Sequence, residues 1–434
     1  MSFEELGEYL RQASIDKPTK TTIQVPTQQK YRITGFYKET RFQETPIGKI
    51  PKEWQVVMLK DVVKVMDKYR VPVREQDRKP GPYPYCGANG IIDYVDGYTH
   101  DGEFVLLAED GGFFGSFEKS AYIMRGKFWA NNHVHVLKPL EGKIVSEFLM
   151  YYLNFADLRP FLTGSTRPKL TQSDMLRIPL PLPSLGEQWG IAEVLSSVDQ
   201  AIEATERFIE KLEKIRRDLM QELLTKGIGH KEFKETEVGK IPKDWQVVML
   251  TNIAKITMGQ SPPSSTYNEN GVGVPFLQGK AEFRRIYPKP TLYTSKPLKI
   301  AEKDDLLISV RAPVGDVNIA PFRLCIGRGL ASIRFNPNKA STLFYFYYFQ
   351  TVKPRLEAIG KGSTFKAITR EDLEKLLVPL PPLAEQQRIA SMLKWIDDWI
   401  EVEEERKERL ERLKRGLMDL LLTGRVRVKV LLVG

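Results

Sequence analysis

The sequence predicts an α+β protein: two α/β domains in pseudo-twofold arrangement, separated by two long helices that form an antiparallel coiled coil. Three internal matches predict it. The stretch GKIPKEWQVVML at 48–59 returns as GKIPKDWQVVML at 239–250, 191 residues later, and differs only in Glu53 against Asp244. GSTRPKLTQSDMLRIPLPLPSLGEQ from Gly164 matches GSTFKAITREDLEKLLVPLPPLAEQ from Gly362 at a displacement of 198. LMQELLT at 219–225 matches LMDLLLT at 417–423 at the same displacement, each after a run of strong helix formers. A period near 200 residues is too long for a solenoid repeat and points to duplication of a whole domain plus a helix. Residues 60–163 and 251–361 share no such likeness, so common frames hold different inserts.

Composition bounds the reading. A chain of 434 residues and 49.8 kDa exceeds one ordinary core. Hydrophobic residues at 42% and charged residues at 28% fit a globular protein rather than a disordered or collagen-like one. There is no apolar run of membrane-spanning length, and MSFEELGEYLRQ lacks the basic-then-apolar order of a signal peptide, so the cytoplasm is the expected compartment. Cys86 and Cys325 are too few for a disulfide framework or a four-ligand zinc site, and both are expected to be buried thiols. A net charge of +10 suits a polyanionic partner, although charge alone does not separate DNA binding from an ordinary basic surface.

Each helix starts after a Pro-rich stop, PLPLPS or PLPPLA. In the first, Ile191, Leu195, Val198, Ile202, Ile209 and Leu212 alternate in steps of three and four around Thr205, which is a coiled-coil seam. The second offers Ile389, Leu393, Ile396, Ile400, Leu410, Leu413 and Leu417, with Glu403 and Lys407 as polar seam places. The short link from Thr225 to Pro242 puts the second domain by the C-terminal end of the first helix, so the second helix must run antiparallel to the first. Residues 33–51 also align without gaps on 224–242, which makes the chain ends expected neighbours. The segmentation is 1–37 as an N-terminal extension, 38–186 as the first domain, 187–226 as its helix, 227–384 as linker and second domain, 385–424 as the second helix, and 425–434 as a tail. The acidic, weakly apolar residues 1–32 have no counterpart in the other half.

GKIPKEWQVVML, PLPSLGEQ ahead of a helix, and LMQELLT, all in duplicate, resemble type I restriction-modification specificity subunits over most of residues 38–428. The resemblance implies two target-recognition domains, each reading half of a bipartite DNA site, and a coiled coil that measures the gap and docks two methyltransferase subunits. It also implies restriction translocase-nuclease subunits as partners. S-adenosylmethionine, ATP and magnesium then belong to those partners, with no cofactor in this chain. A helix of about 38 residues spans on the order of 57 Å, which limits the half-sites to roughly one to one and a half turns of B-DNA. Divergent inserts imply different half-sites and a non-palindromic target. A specificity subunit of a fused restriction-methylation enzyme has the same arms. A coiled-coil scaffold and an enzyme with an unrecognised active site remain the readings from other classes.

In the first insert, PYPYCGANGIIDYVDGYTHDGEFVLLAEDGG reads as short strands and turns and resembles the GEDG-containing domains of that family. Arg78, Lys79, Tyr83 and Tyr85 fit either a groove-facing loop, where Arg bonds a guanine edge, or a solvated turn. NNHVHVL at 131–137 alternates as a strand, placing Asn131, His133 and His135 on one face, with Asn131 a candidate adenine reader and His133 beside it. Two histidines without a third ligand in view read as packed or hydrogen-bonded, and no metal is assigned.

In the second insert, GKAEFRRIYPKP interleaves Lys280, Arg284, Arg285 and Lys289 with Phe283 and Tyr287, the mixture of a DNA-facing loop and also of ordinary surfaces where long stems cover rings. Arg311 and Arg328 join that set. IGRGLASI at 326–333 lacks the context of a nucleotide fingerprint and reads as a tight turn. The GST turns lead into capping-box order at Thr171–Asp174 and Thr369–Asp372, with Arg167, Lys169 and Lys366 nearby as phosphate contacts. Ser165 and Ser363 read as turn formers of a shared scaffold. No phosphate loop, HExxH, GxSxG or amino-methyltransferase motif occurs, and the four histidines form no acid-base constellation, so no catalytic residue is assigned.

Overall fold

The computed structural model describes residues 30–164, 166, 168–361 and 367–433. The sites named above at Ser165, Arg167, Ser363 and Lys366, like the acidic start of the chain, lie outside them. The protein is α+β and divides into two compact units, one holding the described residues 30–206 and 406–433, the other 207–405.

The first unit begins with β1 (Lys30–Lys38), the hairpin of β2 (Phe42–Thr45) and β3 (Gly48–Pro51), and β4 (Gln55–Met58). The hairpin turns on Gly48, whose φ of 95° favours glycine, and Thr45 Oγ1 donates to Gly48 O at 2.7 Å. Next come β5 (Val63–Val65), β6 (Pro80–Gly87), β7 (Gly90–Val95), β8 (His100–Ala108), β9 (Ala121–Ala130) and β10 (Val134–Pro139). They form one sheet in the order β5-β10-β8-β9-β6-β7, in which only β6 and β9 run parallel. The run FVLLA lies in β8 and is buried throughout, as a strand covered on both faces must be. Helix α1 (Ser146–Phe155) closes one face by burying Phe148, Leu149, Tyr152 and Leu153 in the same core as Val105 and Leu107. After α2 (Gln172–Met175), β11 (Pro179–Leu182) pairs with β4 and leads into the long helix α3 (Leu185–Lys226).

The second unit keeps the frame and changes the insert. The hairpin of β12 (Phe233–Thr236) and β13 (Gly239–Pro242) and strand β14 (Gln246–Met249) repeat β2, β3 and β4, and Thr236 Oγ1 donates to Gly239 O at 2.7 Å. The insert holds β15 (Ala254–Met258), β16 (Tyr267–Asn268), β17 (Val274–Leu277), β18 (Leu292–Thr294), β19 (Ile300–Ala301), β20 (Leu306–Ser309), β21 (Val317–Ile319), β22 (Leu324–Ile326) and β23 (Leu330–Phe335). They make a sheet in the order β15-β23-β20-β21 and another in the order β16-β18-β17-β22-β19. Helix α4 (Thr342–Thr351) buries all of Phe344 to Phe349, and α5 (Lys353–Lys361) and α6 (Arg370–Glu374) follow it. Strand β24 (Leu377–Leu380) pairs with β14 ahead of the second long helix, α7 (Leu383–Leu422). In the first unit β25 (Val426–Val433) pairs antiparallel with β1, so the segment read as a tail is a strand.

The repeated motifs have repeated jobs. Trp54 and Trp245 are buried, and each indole Nε1 donates at 3.0 Å to the first-turn glutamate of a long helix, Glu187 or Glu385. The next residue holds the loop before the shared helix: Gln188 accepts from Val145 N at 2.9 Å, and Gln386 accepts from Ser341 N at 2.9 Å. The glutamate's other partner differs between units. Arg427 from β25 takes both oxygens of Glu187, at 2.6 and 2.8 Å, and His230 stands 2.8 Å from Glu385.

Within each unit the long helices run antiparallel. In the first unit Asp199 meets Lys414 at 2.6 Å and Glu206 meets Lys407 at 2.7 Å; in the second Phe208 stacks on Trp399 and Arg216 meets Asp397 at 2.7 Å. The seam departs from the sequence reading at one place. Leu413 is 50% exposed, and Lys414 takes its turn facing α3, with the ammonium on Asp199. A strict step of four from Leu410 reaches Lys414, and the apolar character of Leu413 disguises that register.

Candidate nucleic-acid interface

In the first unit the loop after β8, Glu109 to Ser120, meets the GST loop. Asp110 bridges Lys169, and Leu170 N donates to Glu109 O at 2.8 Å. His133 Nδ1 lies 2.6 Å from Asp110 Oδ1, and Lys169 Nζ lies 2.6 Å from Glu109 Oε1. His133 and Lys169, far apart in sequence, therefore share one corner of the domain. Burial alone would raise the Glu109 carboxyl, but hydrogen bonds from Lys169 and Arg70 outweigh it and hold the group below its usual range.

Other expected readers are occupied. Tyr85 is buried, its hydroxyl accepting from Val73 N at 2.9 Å, and Arg78 lies over its ring at 4.5 Å while pairing with Asp93 at 3.2 Å. Tyr83 is half-buried against Tyr98, whereas Lys79 is exposed. Asn131 is not a strand residue: β10 starts at Val134, and buried Asn131 uses Oδ1 to accept from His133 N at 2.8 Å. Its carboxamide oxygen is spent on a turn, which removes the bidentate geometry an adenine reader needs.

The sequence shows no third ligand beside the histidines, but among the described residues Asp67, Glu109 and His135 bring ligand atoms within 4.8 Å of one another. Its charges are already matched by side chains: Arg70 contacts both carboxylates, and Lys169 holds the second. His135 faces Asp67 Oδ2 at 2.6 Å through Nδ1 and Leu170 O at 2.8 Å through Nε2, so the cluster props the two loops together. Asp67 and Arg70 lie outside every motif, which is why the sequence did not reveal them.

In the second unit Arg285 turns away from the insert's surface. Its guanidinium meets Glu213 at 2.9 Å, Glu404 at 2.8 Å and Asp397 at 3.4 Å, all on the long helices, so it docks the domain and is not open to DNA. Lys280 pairs with Asp316, which also holds Lys353 at 2.6 Å. Burial would raise the Asp316 carboxyl, and the two ammonium groups instead keep it below its usual range. Arg284 donates to Phe283 O at 2.9 Å; it, Lys289, Arg311 and Arg328 are exposed and pair with no carboxylate among the described residues. The IGRGL stretch is a turn closed by Leu330 N on Gly327 O at 3.0 Å, packed so closely that a Cβ at Gly259 would sit 2.1 Å from Gly327 O.

The helices that follow the GST turns are capped as their sequences require. Thr171 accepts from Asp174 N at 3.3 Å and Thr369 from Asp372 N at 3.2 Å. With only 4 and 5 residues, these helices are scaffold corners and carry little dipole for a phosphate.

Two frame-identical domains, each hung on a long helix, are what the comparisons with known proteins match. A family model described as the type I restriction modification DNA specificity domain fits residues 51–214 and again residues 242–412. The chain belongs to this family.

The putative type I restriction enzyme MjaX specificity subunit of Methanocaldococcus jannaschii is 44% identical over 424 residues, covering 92% of this chain and 99% of that protein. The Haemophilus influenzae putative specificity subunit S.HindORF215P is 31% identical over 350 residues, covering 79% of this chain and 86% of its own. A solved chain described under the complex assembly and conformational transition of the type I R-M system aligns with a TM-score of 0.51 at 27% identity, covering 87% and 99%. The solved S subunit of a type I restriction-modification system from M. genitalium shares the fold with a TM-score of 0.62 at 15% identity, covering 85% of this chain and 96% of its own. Each specificity domain thus contributes its own exposed cations, and no helix among the described residues is long and apolar enough to cross a membrane.

Proposed function

We propose that this specificity subunit is a non-catalytic reader of double-stranded DNA, each recognition domain taking one half of a bipartite, asymmetric site. The carrying observation is the contrast between frame and insert. Trp, Glu and Gln repeat their bonds in both units, while the exposed groups differ: Lys79 and Lys169 in one, Arg284, Lys289, Arg311 and Arg328 in the other. Identical frames with different surfaces suit two different half-sites. The net charge of +10 supplies the sequence-independent attraction.

In this reading the partners are two methyltransferase subunits and the restriction translocase-nuclease subunits. S-adenosylmethionine, ATP and magnesium serve those partners, and this chain directs them. The test is to co-express the chain with its modification subunits in a methylation-free host and map modified bases genome-wide. Modification confined to one two-part motif with a fixed gap supports the reading; modification scattered without a motif refutes it.

A further inference from the structure

The two recognition domains share a second, less obvious frame. In each, the chain leaves a central strand, β8 or β20, and forms an antiparallel bridge to the GST segment: Asp110 to Lys169 in one, Arg311 to Ala367 in the other. The next backbone bond also repeats, Leu170 N on Glu109 O at 2.8 Å and Ile368 N on Val310 O at 2.9 Å. Each loop then dives back into its core through one buried apolar residue, Phe114 or Val314. The tip that runs from the bridge residue to the anchor is unlike in the two halves: one reads Asp110-Gly111-Gly112-Phe113 and the other Arg311-Ala312-Pro313.

Both tips are built rather than slack. In the first, Asn89 Nδ2 donates to Gly111 O at 3.1 Å, and Leu158 N donates to the anchor's carbonyl at 2.9 Å. A Cβ on Gly112 would come within 2.4 Å of the Ala108 Cβ, so the chain passes the end of β8 where only glycine fits. In the second, Ser309 Oγ donates to Pro313 O at 3.0 Å and accepts from Asp316 N at 2.9 Å, and Gly315 N donates to Ser309 O at 2.9 Å. These anchored loops hold out Phe113, 56% exposed, and Arg311, exposed with no carboxylate partner among the described residues. An exposed phenyl ring on a fixed loop has an apolar face to offer, and the root of that loop is tied to Lys169 through the Asp110 bridge and the Glu109 ion pair.

We propose that these equivalent loop tips are the paired specificity elements of the protein. Phe113 acts as an apolar wedge against a base step of one half-site, and Arg311 contacts base edges in the other. The proposal rests on the reading of the chain as a two-armed DNA reader and assigns each arm its residue and its mode. A wedge reads how readily a step unstacks, whereas a guanidinium reads hydrogen-bond acceptors. The two half-sites are therefore distinguished by different physics on one backbone frame.

The experiment is a randomised-duplex selection with the complex of this chain and its modification subunits, run on wild type, Phe113→Ala, Phe113→Trp and Arg311→Ala. Phe113→Ala is expected to flatten the preference at one step of one block by about tenfold and leave the other block unchanged. Arg311→Ala should do the converse, and Phe113→Trp, which keeps a stacking face, should retain the wild-type block. Thermal unfolding midpoints equal to wild type show that the exposed substitutions leave the fold intact. If wild type selects two blocks and both alanine variants keep them, or either variant weakens both blocks equally, the assignment of one tip to each half-site is overturned. If wild type itself selects no block, the two-armed reading fails and takes this proposal with it.

Discussion

Asp397, fully buried on α7, accepts the Nε–H of Arg216 on α3 at 2.7 Å and the Tyr347 hydroxyl at 2.8 Å. The first unit repeats the device, with Asp199 taking Lys414 at 2.6 Å and the Tyr151 hydroxyl at 2.7 Å. One carboxylate in each unit ties a recognition domain to its own helix and that helix to the opposite one. Polar seam residues are costlier than leucines and more particular about register.

The two devices differ in burial, and their removal should differ in cost. Asp397→Ala takes the carboxylate from the mostly buried Arg216 guanidinium, which keeps only Gln350, and from the buried Tyr347 phenol, and is expected to destabilise the second unit by about 3–5 kcal/mol. Asp199→Ala frees a part-exposed lysine and leaves the Tyr151 hydroxyl with Ser196 Oγ at 3.3 Å as its remaining partner, and should cost less, about 1–2 kcal/mol. Denaturant unfolding of the two variants, followed by tryptophan fluorescence, checks the order; equal losses would contradict it.

Arg285 and Arg328 separate docking from DNA contact. Because Arg285 is held by Glu213, Glu404 and Asp397, Arg285→Ala should lower the unfolding midpoint and leave the salt dependence of DNA binding unchanged. Arg328→Ala should keep stability within about 0.5 kcal/mol and, where the residue meets a phosphate, reduce the slope of log affinity against log salt by about 1. Binding titrations at several salt concentrations report both.

His100 makes the first domain acid-sensitive. It is 4% exposed and stacks on Phe128 at 5.2 Å, and burial pulls its pKa below 6.5, the ordinary value. The unfolded chain then binds a proton that the folded domain refuses. This contribution is whole above pH 6.5 and is lost as pH falls from there toward the depressed folded value, at no more than about 1.4 kcal/mol per pH unit. Urea midpoints of wild type and His100→Phe at pH 7.5 and 5.5 should converge toward the acid side; a gap that does not change with pH would remove His100 from the account.

Leu413 tests the seam. Being half-exposed, it should tolerate Leu413→Lys within about 0.5 kcal/mol, whereas Met418→Ala, in the core of the first unit, should cost about 2–5 kcal/mol. A large loss at Leu413 in the chain alone would restore the register in which it faces α3.

The duplication was legible because selection for a shared frame leaves identical strings, and Trp54, Glu187 and Gln188 with their counterparts show what those strings hold. The antiparallel direction followed from one short link. Side-chain direction inside the inserts was not legible. Arg285 sits among basic and aromatic neighbours that suit a DNA loop, yet its partners are on helices more than a hundred residues away in sequence or on the preceding helix. NNHVHVL alternates like a strand, but a side-chain-capped turn takes its first three residues. Phe113 carried no sequence signal at all, because its importance lies in a loop frame that repeats in hydrogen bonds without repeating in residues.

The most direct test of the central claim is selection of randomised duplexes by the wild-type chain with its modification subunits, at two salt concentrations. Two unlike conserved blocks at one fixed gap are expected, both surviving the higher salt while non-specific binding falls away. Recovery of duplexes with no preference, and binding that vanishes uniformly with salt, would contradict it.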